Sequence, residues 1–154
     1  MRREQIDARE RPGDDIASRA HLQATRAITI DAPPKEVWPW LVHMGGYTRA
    51  GWYSYDRIDN AGRPSADRIV PELQHLQVGD VMPTAPDGSG FTVERIDPPQ
   101  VLVLSIHAYE GTVSCCLALR ERRDGSRLAS GCGCVPGPRC AGWPSWRSWR
   151  WATS

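Results

Sequence analysis

From Val78 onward the chain alternates short apolar-patterned stretches with turn signals too brief to hold a helix. Val78–Thr84 is closed by Pro86-Asp87-Gly88-Ser89-Gly90, and Phe91–Ile96 by Asp97-Pro98-Pro99. Val101–Ala108 follows, then Thr112–Arg120, whose Val113, Cys115, Leu117 and Leu119 share one face of a strand. Asp124-Gly125 is a two-residue hairpin signal, after which Arg127-Leu128-Ala129 begins a fifth strand that its Gly-rich continuation does not complete. Strands joined by such short turns pair antiparallel. A sheet of this kind with one buried face needs a cover.

The earlier part of the chain offers little cover. Thr25–Ile30 alternates polar and apolar and predicts another strand. Asp31-Ala32-Pro33-Pro34 breaks it, and Pro34 suits the first turn of a helix running from Lys35 to His43. Val37, Leu41 and Met44 form its apolar stripe, while Pro39 keeps it short. Gly45-Gly46 ends it. Residues 45–77 then mix aromatic, Gly/Pro and charged groups, with short helices expected at Ser54–Asn60 and Ala66–Leu73. A long irregular stretch inside one domain is often functional. One strand, one short helix, irregular structure and a meander together read as α+β.

Length and charge narrow the function. The 154 residues suffice for one domain, and 19 basic against 18 acidic groups leave a net charge of +1. No charge excess advertises a nucleic-acid partner, no apolar run reaches the length of a membrane span, and Met1-Arg2-Arg3-Glu4 leads into no signal peptide. Residues 1–23 are polar and read as an N-terminal extension, with a docked helix as the alternative. Five cysteines without secretion signals fit a reduced, cytoplasmic setting.

The run Ala24-Thr25-Arg26-Ala27-Ile28-Thr29-Ile30-Asp31-Ala32-Pro33-Pro34-Lys35-Glu36-Val37-Trp38-Pro39-Trp40-Leu41 resembles the opening of the SRPBCC superfamily. These are the START-like or Bet v 1-like helix-grip proteins, which include polyketide cyclase/dehydrase-like members. Gly51-Trp52-Tyr53-Ser54-Tyr55-Asp56 and Val78-Gly79-Asp80 look like an uncharacterised bacterial branch of it. The resemblance implies a curved antiparallel sheet gripping a long C-terminal helix, with an apolar ligand cavity between them.

The chain departs from that pattern after Ala129. Residues 24–128 read as an incomplete helix-grip domain, and residues 129–154 as an aberrant Gly/Pro/Trp/Arg tail. Within Gly131–Pro144, seven of fourteen positions are Gly or Pro. Trp and Cys codons, and most Ser codons, begin with T. A shift that makes this base the middle one turns Cys140, Trp143, Ser145, Trp146, Ser148, Trp149 and Trp151 into Phe, Leu, Ile, Met or Val. The tail therefore reads as a frameshifted gripping helix, to be checked by resequencing. Such a helix buries roughly five to seven large side chains at roughly 1.5–3 kcal/mol each. Without it the domain is expected to be marginal or to self-associate through the uncovered sheet.

Several constellations resemble sites. Cys132-x-Cys134 with Cys140 lacks zinc-ligand spacing and a histidine, and Cys115 and Cys116 point to opposite faces, so no metal is expected. Trp143–Trp151 resembles an interfacial peptide or a base-stacking string, but is short and carries few cations. Tyr47, Trp52, Tyr53 and Tyr55 with Arg49 and Asp56 form the best pocket candidate, since aromatics with polar tips supply apolar walls and a few orienting hydrogen bonds. Trp40 and Met44 line the same cavity or pack in the core. Asp56 and Asp59 sit one helical turn apart, His43 closes the helix against its terminal carbonyls, and His107 shares a strand face with Val101, Val103 and Ser105. No nucleophile elbow, phosphate loop or dinucleotide fingerprint is present.

The expected function is binding of a small hydrophobic or aromatic molecule, through Trp40, Met44, Trp52, Tyr53, Tyr55 and Asp56, without a cofactor. The alternatives are a cyclase/dehydrase-type enzyme, using Asp56, Tyr53 or His107 on a polyketide-like substrate, and a non-functional frameshifted product.

Overall fold

A computed structural model describes residues 12–17 and 20–137. Cys140 and the Trp143–Trp151 string lie outside the described residues. The strands are β1 (Leu22–Ile30), β2 (Val81–Pro83), β3 (Gly90–Asp97), β4 (Val101–Ala108), β5 (Gly111–Arg122) and β6 (Gly125–Pro136). They form one curved antiparallel sheet in the order β1-β6-β5-β4-β3-β2. Helix α1 (Pro34–Val42) is the only helix of more than four residues among those described. The α+β class and the meander stand as the sequence pattern implies.

This order puts β1 and β2 at opposite edges. Residues 31–80 must therefore cross the sheet from one edge to the other, and they carry α1 and the irregular segment over one face. Two apolar clusters form beneath them. Val42, Leu76, Met82, Val93, Leu102 and Leu104 pack together, and Val37, Leu41 and Leu119 form the second cluster with Ile30 and Leu128 at its border.

The local differences from the sequence reading have physical causes. Ala66–Leu73 is not a helix. Pro71 removes an interior donor and pushes Val70 to extended angles (φ −97°, ψ 106°), so only a 3-10 turn at Pro71–Leu73 forms. The Ser54–Asn60 helix shrinks to one turn, α2 (Asp56–Asp59), between left-handed Tyr53 and Ala61. The strand expected at Val78–Thr84 starts only at Val81, after Gly79 turns the chain with φ 93°.

The last strand does finish. β6 runs to Pro136, paired with β5 along its whole length and with β1 from Ser126 to Cys134. Bonding on both sides holds Gly131 and Gly133 in a strand despite their weak β preference. Nor is the segment before Ala24 wholly an extension. β1 begins at Leu22, and residues 12–17 form turns against the opposite face of the sheet, where Ala17 is buried. A Cβ built on Gly133 would stand 3.2 Å from the Ala17 Cβ, so the bare glycine is what admits this approach.

Candidate functional site

Helix α1 and the two residues that follow it aim three side chains at a common corner. Val37 and Leu41 point into the core, while Trp40, His43 and Met44 follow on the adjoining stripe at three- and four-residue spacing. Beyond the helix, Gly45 and Gly51 pair across an isolated bridge, and a guanidinium seals the turn between them. Arg49 donates from Nε to the Met44 carbonyl at 2.7 Å and from Nη2 to the Val42 carbonyl at 2.5 Å. A cation beside terminal helix carbonyls is favourable. Arg49, not His43, fills this role.

The turn returns Tyr53 to the helix, with φ 55°. Its ring stacks on His43 with centroids 5.7 Å apart and meets Trp40 edge-on at 5.8 Å. The Trp40 ring is also perpendicular to His43 at 5.3 Å. His43 is fully buried, with Nε2 2.7 Å from the Tyr53 hydroxyl oxygen.

The tautomer of His43 follows from its second contact. The Val70 N–H donates to Nδ1 at 3.4 Å, so Nδ1 offers a lone pair and the ring proton resides on Nε2. Nε2–H then donates to the Tyr53 oxygen, leaving the Tyr53 proton free for another acceptor. Burial, with Arg49 as the second cause, lowers the His43 pKa and keeps the ring neutral. Burial and the Asp56 charge raise the Tyr53 pKa, so the phenol keeps its proton.

Beside this trio lies an open groove of about 420 Å³. Its floor is Ile30 and Leu128 from the sheet, and its wall is Val37, Trp40 and Leu41 from α1 with Met44 just beyond the helix end. Tyr53 and Glu36 supply polar edges.

Three of the six sequence-derived site residues meet here: Trp40, Met44 and Tyr53. The other three lie elsewhere. Trp52 donates from Nε1 to the Pro83 carbonyl at 3.1 Å and packs edge-on against Phe91, as part of the core. Tyr55 is 75% exposed. Asp56 accepts from the Ser65 hydroxyl at 2.6 Å and from the Ser65 N–H at 2.9 Å, bonds that hold its carboxyl below the usual range. Ser65 Oγ in turn accepts the Tyr53 N–H at 3.2 Å, so Asp56 braces the loop that presents Tyr53.

Tyr47 and His107 also stand apart. The Tyr47 N–H donates to Asn60 Oδ1 at 2.8 Å, an internal loop contact. His107 is on the opposite face of β4 from Leu102 and Leu104, beside Thr112 and Glu94. Among the described residues no group of three or more His, Cys, Asp or Glu could hold a metal ion, and no helix is long and apolar enough to cross a membrane. The sequence reading left out the apolar lining Ile30, Val37, Leu41 and Leu128 and the polar groups Glu36 and His43. The i,i+3 spacing of Trp40 and His43 was the available signal.

No protein-family model matches the chain, and no curated protein matches it. Among solved structures it is similar to CalU16 from Micromonospora echinospora, at 20% identity and a TM-score of 0.45, over 75% of this chain and 60% of that one. The chain thus spans less than two thirds of the length of CalU16. It is also similar to a Polyketide_cyc-like protein from Corynebacterium glutamicum, at 15% identity and a TM-score of 0.43, over 77% and 68% of the two chains. A protein from Chromobacterium violaceum matches at 14% identity and a TM-score of 0.44, over 74% and 80%. At these values the neighbours lend this chain no activity.

Proposed function

We propose that the groove between α1 and the β1–β6 edge binds a small, planar, largely apolar molecule that carries one hydrogen-bond acceptor. The observation behind this reading is the Val70 N–H on His43 Nδ1, which leaves the Tyr53 hydroxyl proton available at the groove's edge. Apolar walls with one orienting donor are the usual make-up of a small-molecule site. The volume, about 420 Å³, falls in the ~300–1,000 Å³ range of such sites.

The same geometry argues for binding over proton transfer. His43 Nε2 already carries a proton toward Tyr53, so it has no lone pair with which to take the phenolic one. Asp56 is engaged twice by Ser65 and does not line the groove. A general base needs a free lone pair within reach of its substrate.

Two naphthalenes of near-equal size separate the hypotheses. 2-Acetylnaphthalene offers a carbonyl acceptor, and 2-ethylnaphthalene offers none. Titration followed by calorimetry and by the Trp40 indole resonance should show the ketone binding about 2- to 13-fold tighter, as one hydrogen bond of about 0.5–1.5 kcal/mol predicts. Tyr53→Phe should erase that difference and Trp40→Ala should weaken both ligands. Equal binding of the two by the unaltered protein, or no response at Trp40, overturns the reading.

A further inference from the structure

The groove-facing side of the sheet carries a second chemical feature. Cys115 on β5 and Cys132 on β6 are direct cross-strand partners, and their sulfurs stand 3.1 Å apart. Antiparallel partners have Cα atoms ~4.5–5.5 Å apart, inside the ~4.4–6.8 Å that a disulfide spans. Joining these sulfurs therefore needs side-chain rotation and no backbone movement.

The register singles out this pair. Cys116 lies on the opposite face, buried against the back of the sheet. Cys134 is opposite Val113 and Leu22 and so has no cysteine across either ladder.

The two thiols are also unequal. Cys132 is exposed, whereas Cys115 packs against the core beneath α1. The neighbouring Cys132 sulfur, then burial, push the Cys115 thiol up, so it holds its proton. The Cys115 thiol 3.1 Å away pulls Cys132 below the ordinary thiol value, which favours its thiolate. An exposed thiolate beside a protonated resolving thiol is the arrangement of oxidisable cysteine pairs.

We propose that Cys115 and Cys132 form a peroxide-oxidisable dithiol site that closes to a disulfide between β5 and β6. The Cys132 thiolate attacks one peroxide oxygen, the O–O bond breaks, and the hydroxide released takes up a proton to leave as water. The resulting Cys132 sulfenic acid is attacked by the Cys115 sulfur. The S–S bond forms, the S–O bond breaks, and the departing hydroxide accepts the Cys115 proton as a second water. Two thiols are oxidised and one hydrogen peroxide is reduced.

The test treats the reduced full chain with hydrogen peroxide, blocks remaining thiols with iodoacetamide, and maps the peptides by fragmentation. The expected product is a Cys115–Cys132 link, lighter by two hydrogens, reversed by dithiothreitol, and formed at a rate half-maximal below the ordinary thiol value of 9.0. Cys134→Ser and Cys116→Ala should form the same link, and Cys132→Ser should form none. A link through Cys134 or Cys116, a disulfide between chains, stable overoxidation of Cys132 without a link, or a half-maximal rate near the ordinary thiol value of 9.0 overturns the proposal. The Cys134→Ser result and the pH profile decide the matter even if Cys132→Ser does not fold.

Discussion

Tyr53→Phe removes one oxygen from the ring trio and leaves every aromatic contact in place. In the native chain that oxygen accepts the Nε2 proton of His43 at 2.7 Å, and His43 is 0% exposed. Phenylalanine still covers the imidazole but strands its donor. An unsatisfied buried donor costs about 1–3 kcal/mol, a sizeable share of the ~5–15 kcal/mol that holds a typical domain folded. At roughly 2–4 °C per kcal/mol for a chain of this size, Tm should fall by about 2–12 °C. Urea unfolding should show a lower midpoint at unchanged m, because the surface exposed on unfolding is the same. His43→Leu supplies the control. With the donor gone, Tyr53→Phe should cost less than about 0.5 kcal/mol, and the difference between backgrounds is the coupling of the pair. An equal cost in both backgrounds, or no cost in the native one, would refute the assigned Nε2–H to oxygen bond.

The same histidine gives stability a pH dependence. Its folded pKa lies below the ordinary 6.5, so the unfolded chain binds the proton first as pH falls. Stability is complete above 6.5 and declines below it until the folded value is passed; His43→Leu should flatten that slope in urea midpoints, and parallel slopes would count against it. On the groove-facing side of β1, Ile28 is 57% exposed. Ile28→Lys should change stability by less than about 0.5 kcal/mol and reduce concentration-dependent light scattering. A loss above about 1 kcal/mol would mean that the strip is covered in solution.

The meander was legible because its signals are local. The strand expected at Val101–Ala108 is β4 as observed, and the Asp124-Gly125 turn joins β5 to β6. β6 beyond Ala129 was not legible, since Gly131-Cys132-Gly133-Cys134 has no strand preference of its own. β1 and β5, paired on either side, impose its extension. The site was half legible for a related reason. Trp40 on the periodic helix and Met44 just past its end continue a pattern whose face could be read, and Tyr53 belonged to the aromatic run. The position of Tyr53 over His43 depends on left-handed angles at residue 53 and on the Asp56–Ser65 brace, which no periodicity encodes. Trp52, Tyr55 and Asp56 are one to three residues from Tyr53, yet the same turn sends them away from the groove.

The position of the groove follows from dimensions alone. Nine residues give α1 a length of ~13.5 Å. Six strands at a spacing of ~4.8 Å put β1 and β2 ~24 Å apart. One such helix does not roof that width. The irregular segment after α1 adds Leu76 and Trp52 on the β2 side, where Met82, Val93 and Leu102 are buried. On the β1 side nothing described does the same, and Leu22 and Ile28 are 56% and 57% exposed on the side that also carries Leu128. Between roofed and bare sheet there is a step, with α1 as its riser and Ile30 and Leu128 as its tread. Apolar surface at such a step is only partly removed from water, so a flat apolar molecule laid into it covers helix and sheet at once. Tyr53 stands at that step with its hydroxyl proton unspent, so under the proposed function an acceptor-bearing ligand should bind more tightly than a merely oily one.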